Sequence, residues 1–357
     1  MKFRNVSTAM LAASALLFGM GAVHAQQRYT ITAIVGHPQA LPDQRPLAHD
    51  LNDKGEVAGE LSTFQFDPRH PFLWRAGEFI ELTAIPDPRA SAIGINSKSE
   101  VIGSFRPPGE PLFTSFLLRR NGLTTLEFVS GESERASAVN DRGQVAGTIP
   151  LAGGGITGFL WRRGHVMSLE PLPGATSVGV VGLNNHGVVV GSAFFDTGQQ
   201  LAVIWKDGQP LDLGLLPGAE SANGMAINDH GQVVGHMRFD TTRDRAFIWQ
   251  RGNINALPDF EGALSTQAWD INRRGEIVGY SRTDTGLVAT FWDKDGVAVN
   301  LNDAISSDDP SRPFVTLGTA TRINNRGQIL AGGTDSRVPE PHPEFPLGFS
   351  YLLTPVR

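Results

Sequence analysis

A short pattern of apolar and polar positions recurs along the chain. One copy, residues 51–59, reads LNDKGEVAG, and another, residues 227–235, reads INDHGQVVG. Each copy has an apolar residue, an asparagine, two polar residues and a glycine, followed by a mostly apolar run that ends in a second glycine. The asparagine occurs seven times, with five spacings of 44 residues and one of 52, at Asn52, Asn96, Asn140, Asn184, Asn228, Asn272 and Asn324. A period of this length predicts a repeat protein.

Each period predicts four short strands. The first strand ends at the asparagine, and the second is the apolar run after the first glycine. The third is an aromatic or apolar segment such as Phe247-Ile248-Trp249, and the fourth is a short segment such as 255–257. The turn between the first two strands has glycine in six of seven copies, with Ser99 as the exception. Glycine there supplies the positive φ that such a turn requires.

Four strands in 44 residues is the size of a propeller blade, so we predict an all-β, seven-bladed β-propeller of four-stranded blades. Blades are numbered by their asparagine, from Asn52 in blade 1 to Asn324 in blade 7. The seventh repeat stops after its third strand, at 349–352, whereas residues 29–34 alternate like a strand before the first repeat. We therefore expect this N-terminal strand to complete blade 7 and close the ring, which removes open sheet edges.

The N-terminus predicts export. Lys2 and Arg4 precede an apolar run over 10–23 that ends in Val23-His24-Ala25, the pattern of a secretory signal peptide. We expect cleavage after Ala25, a single propeller domain over 26–357, and a secreted or periplasmic location. No second apolar run of 18 residues occurs, so no transmembrane segment is expected. The chain has no cysteine, so packing and ring closure must stabilise it without disulfides.

Several segments together resemble the HAF-repeat family of bacterial extracellular proteins. They are the asparagine motif, HPFLW at 70–74, RAFIW at 245–249, and Leu-Pro-Gly at 172–174 and 216–218. The resemblance covers nearly all of the chain after residue 25. The second repeat departs from it, with Ser99 for glycine and Leu118 for tryptophan. The resemblance implies an exported repeat protein and supplies no catalytic residues.

Antiparallel strands place the first-to-second and third-to-fourth turns at one end of the propeller, here called the turn face, and the other loops at the loop face. The short turns contain 14 basic and six acidic residues, an excess of +8, although the whole chain has a net charge of −6. Two residues after each asparagine the side chain is basic or histidine, and we call these seven the basic ring: Lys54, Lys98, Arg142, His186, His230, Arg274 and Arg326. Such a ring suits docking on an anionic surface. The alternative is that solvated turns simply tolerate long charged side chains.

A second candidate site lies two residues before the asparagine, where three blades carry charges: Asp50, Asp270 and Arg322. They belong to blades 1, 6 and 7, which are neighbours in a closed ring, so we expect them to meet near the channel. They either bind a polar ligand, with one carboxylate raised in pKa for acid–base work, or form an ion-pair clasp where the ring closes. We favour the clasp, because closure is where a propeller most needs fastening.

Other site signals are weak. Residues 293–296 read DKDG, which begins like a calcium loop but lacks the later acidic ligands. The acidic insertion 302–310, in the one lengthened repeat, is expected to be a mobile loop; the alternative is a site for calcium or a partner. We expect no cofactor, no metal site and no nucleic acid partner, and a monomer. The predicted function is a non-catalytic exported scaffold for an extracellular or envelope protein or polysaccharide; the alternative is a polysaccharide lyase or glycosidase with its site on the loop face.

Overall fold

The structure, a computed structural model, describes residues 27–36, 45–62, 70–87, 89–110, 112–126, 134–151, 153–338 and 348–356. The described residues form seven four-stranded antiparallel sheets arranged as blades around a central channel, which confirms the predicted seven-bladed propeller. The expected signal peptide, residues 1–25, lies outside the described residues. Within the described part of the chain, no helix is long and apolar enough to cross a bilayer.

The strands follow the predicted order within each repeat. Strand β1 (Tyr29–Ala33) comes first in the chain. Blade 1 contains β2 (Arg45–Leu51), β3 (Val57–Ser62), β4 (Pro71–Arg75) and β5 (Glu78–Glu81). Blade 2 contains β6 (Ser91–Ile95), β7 (Val101–Phe105), β8 (Thr114–Arg119) and β9 (Gly122–Thr125). Blade 3 contains β10 (Arg135–Val139), β11 (Val145–Pro150), β12 (Ile156–Arg162) and β13 (His165–Leu169).

The later blades repeat the same plan. Blade 4 contains β14 (Ser177–Leu183), β15 (Val189–Phe194), β16 (Gln200–Lys206) and β17 (Gln209–Asp212). Blade 5 contains β18 (Ser221–Ile227), β19 (Val233–Arg238), β20 (Asp244–Gln250) and β21 (Asn253–Ala256). Blade 6 contains β22 (Ser265–Ile271), β23 (Ile277–Thr283), β24 (Gly286–Trp292) and β25 (Ala298–Asn300). Blade 7 contains β26 (Val315–Ile323), β27 (Ile329–Asp335), β28 (Phe349–Pro355) and β1.

Strand β1 closes the ring, as predicted. It pairs antiparallel with β28, with Tyr29 opposite Pro355, so residues from both ends of the chain share one sheet. The insertion in the lengthened repeat then contacts β1, because the Asp309 carboxylate accepts a hydrogen bond from the Ile31 backbone N–H at 2.6 Å. Asp309 is only 6% exposed. The expectation of a mobile loop is therefore wrong for this part of the insertion, which is anchored to the closing strand.

The core lies between blades rather than in one central cluster. The buried side chains of the described residues form seven clusters, each drawn mainly from two neighbouring blades, including blades 7 and 1. Trp205 and Trp292, from third strands, are fully buried and each donates its indole N–H to a carbonyl of the preceding blade at 2.7 Å. In these two blades the repeated tryptophan thus joins adjacent blades by packing and by a hydrogen bond.

Every innermost strand contains a β-bulge three residues before its asparagine. The bulged residues are His49, Ile93, Ser137, Val181, Met225, Trp269 and Thr321. Because a bulge inserts one unpaired residue into a strand, it interrupts the alternation of side chains. In five blades, the bulged residue lines the channel.

Candidate functional site

The repeat asparagines form a closed ring of hydrogen bonds around the channel. Each side-chain N–H donates to the backbone carbonyl of the asparagine in the next blade, at 2.9–3.1 Å, and Asn324 donates to Asn52. Each side-chain oxygen accepts the backbone N–H groups two and four residues later, as Asn140 does from Arg142 and Gln144. The most regular residue of the sequence is therefore a structural link between blades.

The residues that follow these asparagines surround a shallow depression on the turn face, with a volume of about 170 Å³. Asp53, Asp141 and Asp229 belong to this set, and each accepts the backbone N–H of a residue in the preceding blade, at 2.7–2.9 Å. Burial raises the pKa of Asp229, but hydrogen bonds from Asn185 and the guanidinium of Arg273 hold it below its usual value. These carboxylates are already bonded and hold neighbouring turns together.

All seven members of the basic ring are exposed on the turn face around this depression. Lys54 bonds to the Ser99 hydroxyl at 2.9 Å, and Arg274 pairs with Glu276 at 2.6 Å. Within the described residues, Lys98 and Arg142 form no side-chain ion pair. The positive charge of the basic ring is therefore neutralised at some blades and not at others.

Three glutamates reduce the charge excess that the sequence predicted for the turn face. Glu56, Glu100 and Glu276 lie four residues after a repeat asparagine, just beyond the short turns whose charges give the excess of +8. They pair with basic residues of this face, Arg75 at 2.6 Å, Arg119 at 3.0 Å and Arg274 at 2.6 Å. Adding these three acids to the six already counted leaves 14 basic against nine acidic residues, so the predicted excess of +8 falls to +5.

The remaining positive charge is concentrated on blades 2 and 3. The basic patch, as we call it, contains Lys98, Arg119, Arg120, Arg142, Arg162 and Arg163. A depression of about 440 Å³ lies within it, lined by Lys98, Arg119, Arg120, Asn121 and Glu100. The side chain of Arg119 reaches the first turn of blade 3. The Nη2 atom of Arg119 lies 3.2 Å from the position that a Cβ atom on Gly143 would occupy. The patch is therefore continuous across the two blades.

The charged residues of the channel lie together on one wall. Arg322 Nε donates to Asp50 Oδ1 at 3.1 Å, and the second oxygen of Asp50 accepts the backbone N–H of Ile95 at 2.8 Å. Asp270 accepts the backbone N–H of Ile323, also at 2.8 Å. Each of the three side chains thus bonds to the next blade, which links blades 6, 7, 1 and 2 in series. This is the arrangement expected of a clasp.

Asp270 is the titratable member of this group. Burial raises its pKa to about 6, against an ordinary value of 3.8, and the nearby Asp50 carboxylate adds to the rise. The Arg322 guanidinium and the N–H groups of Ile323 and Ile271 oppose it. Asp270 is therefore mostly ionised at pH 7, and a modest fall in pH protonates it.

A cavity of about 210 Å³, here called the channel cavity, borders this wall. Its lining includes Ile93, Val181, Met225, Trp269 and all three charged residues. Trp269, the one tryptophan outside the third strands, lies at this cavity. Its ring meets Tyr280 edge-on at 5.3 Å between centroids, and its N–H donates to Gln267 at 3.2 Å.

Sequence reasoning missed the bulged residues as a set. Their sequence signal is variety, because the seven repeats carry His, Ile, Ser, Val, Met, Trp and Thr at this one position. The position just before it is Ala in five repeats, Val in one and Gly in one. Because the asparagine and the position before the bulge are far more uniform, the variety at the bulged position indicates a surface that has diverged.

The described residues include no group of three His, Asp or Glu side chains placed to hold a metal ion. In the segment that begins like a calcium loop, the Asp293 carboxylate accepts the backbone N–H groups of Asp295 and Val297, as in an ordinary Asx turn. Two acidic residues of the loop face are also hydrogen-bonded: Glu134 accepts the Ser115 N–H, and Asp259 accepts the Thr266 hydroxyl.

No family model matches the sequence, and no curated protein matches it. Among solved structures, the chain is similar to streptogramin B lyase, with a TM-score of 0.51, 10% identity, and coverage of 92% of this chain and 98% of the lyase. It is similar to a puromycin-hydrolyzing peptidase of Mycobacterium tuberculosis, with a TM-score of 0.55, 11% identity, and coverage of 85% and 52% respectively. It is also similar to the acylaminoacyl peptidase of Pyrococcus horikoshii, with a TM-score of 0.51, 13% identity, and coverage of 82% and 50%. At such identities the likeness shows the fold alone.

Proposed function

We propose that the protein is an exported, non-catalytic propeller scaffold that binds an anionic polysaccharide of the cell envelope or its surroundings through the turn face. The observation that carries the proposal is the basic patch, which presents six basic side chains on adjoining turns of two blades. Two acids oppose them: Glu100 is paired with Arg119, and Asp141 accepts the backbone N–H of Ser97. The patch therefore keeps a net positive charge toward solvent.

The turn face suits a long polyanion for a second reason. The hydrogen-bonded ring of asparagines holds the seven first turns in place, so the backbone that carries Lys98 and Arg142 is already ordered before binding. A rigid array loses less conformational entropy when it meets a repeating ligand. The attraction acts at long range and weakens with salt.

Export is supported by the signal-peptide pattern of residues 1–25 and by the resemblance to the HAF-repeat family. A signal peptide directs the chain out of the cytoplasm, and the polysaccharides of the envelope lie on the outer side of the cytoplasmic membrane. The HAF-repeat family has the same repeat motif, and its members are extracellular proteins. Both supports come from the sequence.

The second candidate function is an enzyme acting on polysaccharide, with its site over the channel on the loop face. The paired carboxylates such an enzyme uses would be Asp50 and Asp270. The clasp geometry favours the scaffold instead, because Asp50 is neutralised by Arg322 and both carboxylates accept backbone N–H groups. An activity screen on acidic and neutral polysaccharides, with the double variant Asp50→Asn, Asp270→Asn as control, tests this candidate.

The binding test uses the chain from residue 26 with polygalacturonate as the acidic polysaccharide and dextran as the neutral one, over a salt series. We expect polygalacturonate to bind and dextran not to bind. The triple variant Lys98→Glu, Arg120→Glu, Arg142→Glu should weaken binding about tenfold or more at low salt, because it reverses the patch.

The matched control is Lys206→Glu, Lys294→Glu, Arg326→Glu, which makes the same charge change on blades 4, 6 and 7 of the same face. It should weaken binding less. Equal loss in both variants would place binding on the whole ring rather than on the patch. Binding that survives high salt and both variants would refute the proposal.

A further inference from the structure

The channel cavity has two unlike walls. Blades 6, 7 and 1 contribute the charged wall of Asp270, Arg322 and Asp50, whereas blades 2 to 5 contribute Ile93, Ala138, Val181 and Met225. Two residues before the asparagine, these latter blades have only glycine or alanine: Gly94, Ala138, Gly182 and Ala226. The small residues leave the space that longer side chains occupy on the charged wall.

The charges of the clasp do not cancel. Arg322 is paired with Asp50 at 3.1 Å, which neutralises that carboxylate. Asp270 receives hydrogen bonds from the backbone N–H groups of Ile323 and Ile271, and among the described residues no side-chain ion pair reaches it. The three groups together therefore carry one net negative charge when Asp270 is ionised. That charge lies at the edge of a cavity.

An aromatic ring lines the same cavity as this carboxylate. Trp269 and Asp270 are consecutive residues, and both line the cavity because the β-bulge at Trp269 breaks the alternation of the strand. The indole is held by Tyr280 through an edge-on ring contact and by Gln267 through a hydrogen bond. Gln267 is held in turn by Asp244 at 2.6 Å. The ring is thus positioned without a ligand.

We propose that the channel cavity binds a small organic cation, with its ammonium group between the Trp269 indole and the Asp270 carboxylate. A carboxylate and an aromatic ring together attract a desolvated ammonium group by charge and by cation–π interaction. Met225, Val181 and Ile93 contact the apolar part of the ligand. An anion is disfavoured, because Arg322 is already paired with Asp50.

The cavity limits the ligand to a compact molecule. Its volume of about 210 Å³ exceeds the roughly 150 Å³ of an engineered apolar cavity that binds benzene. The ligand is therefore a small amine rather than a polymer. This site lies on the charged channel wall, away from the basic patch, so it neither requires nor excludes polysaccharide binding.

The test is isothermal titration of the chain from residue 26 at pH 7.5 with tetramethylammonium and propylamine, and with tert-butanol and propionate as the neutral and anionic controls. We expect the two cations to bind with dissociation constants of about 1 mM. Asp270→Asn and Trp269→Leu should each weaken binding about tenfold or more, since each removes one of the two attractions. Trp269→Phe should retain most of the affinity.

Two further variants separate binding from folding. Val181→Trp fills the cavity from the opposite wall and leaves the clasp intact, so it should abolish binding while thermal unfolding stays cooperative. Asp240→Asn removes one exposed carboxylate outside the cavity and should bind as the parent does. The proposal is overturned if tert-butanol or propionate binds as tightly as the cations, or if Val181→Trp binds the cations normally. It is also overturned if no cation binds at a concentration of about twenty times the expected dissociation constant.

Discussion

At the scale of single residues, the repeat asparagine explains why the motif is so regular. In blade 3 the Asn140 side chain makes four hydrogen bonds: its oxygen accepts the backbone N–H groups of Arg142 and Gln144, and its nitrogen donates to the Gln144 side chain and to the Asn184 carbonyl. Asn140 is 4% exposed, so water cannot replace these bonds when the side chain is removed. Neither aspartate nor serine offers both the acceptor and the donor in this shape.

Removing one asparagine should therefore destabilise the whole protein. We expect Asn140→Ala to lower the free energy of unfolding by about 2 to 4 kcal/mol, because the four polar groups that bond to this side chain lose their partner. Asn121→Ala, in an exposed turn of blade 2, should change it by less than about 0.5 kcal/mol. Urea denaturation of the two variants measures both, and equal effects would contradict a special role for the ring.

Asp270 should make stability depend on pH in an unusual direction. Its pKa of about 6 in the folded protein exceeds its ordinary value of 3.8, so the folded state binds this proton more tightly than the unfolded chain. The contribution is present below about pH 4 and is lost as the pH rises through 6. It amounts to about 3 kcal/mol at most.

The measurement compares the parent with Asp270→Asn by urea denaturation from pH 4.5 to 7.5. As the pH rises, the free energy of unfolding of the parent should fall relative to that of Asp270→Asn, because Asp270 loses its proton whereas asparagine does not titrate. The control Asp240→Asn should leave the difference nearly flat over this range, since hydrogen bonds from Thr242 hold the pKa of Asp240 below its ordinary value of 3.8, and so below the lowest pH used. A flat difference for Asp270→Asn would contradict the raised pKa.

At the scale of strands and turns, two features have different origins. The first turn follows from local chemistry: the six glycines have positive φ, and Ser99, the one exception, adopts the same conformation with φ of 63°. The bulge three residues before the asparagine has no comparable local signal, because residues as different as Ser137 and Trp269 occupy it. Turn chemistry is therefore readable in one repeat, whereas the bulge is recognised only when the strand is paired.

The closing strand should dominate stability. Tyr29 is 2% exposed and meets Phe291 edge-on, with ring centroids 6.3 Å apart, whereas Thr32 on the same strand is exposed. We expect Tyr29→Ala to cost about 3 to 5 kcal/mol and Thr32→Ala less than about 0.5 kcal/mol. Deleting residues 26–35 should lower the melting temperature by about 10 °C or more. An unchanged melting temperature after the deletion would contradict closure by β1.

At the scale of the whole molecule, charge is divided between two ends. The chain after residue 25 has 36 acidic and 28 basic residues, a net charge of −8, yet the turn face keeps an excess of positive charge. Since the field near a surface depends on local charge, the net value does not describe what the turn face attracts. The molecule is an anion with a cationic end.

This asymmetry predicts behaviour that the isoelectric point of about 5.9 does not. At pH 7.5 and low ionic strength the chain from residue 26 should be retained on a cation-exchange resin, although its net charge is negative. It should elute at about 0.1 to 0.2 M salt, where the screening length falls to about 10 Å or less. The triple variant Lys98→Glu, Arg120→Glu, Arg142→Glu should pass through without retention. Retention of that variant would show that another surface binds the resin.

The sequence by itself determined the seven blades, their four strands, the tight first turns and closure by the N-terminal strand, since these depend on periodicity, turn residues and one missing strand. The tertiary structure alone decided which side chains meet across blades. It revealed the asparagine ring, the pairing of Glu56 with Arg75 and of Glu100 with Arg119, and the anchoring of Asp309 on β1. It also brought Trp269 and Asp270 to one cavity. These contacts join residues 19 to 278 positions apart or depend on an unpaired residue in a strand, and a local pattern contains neither kind of information.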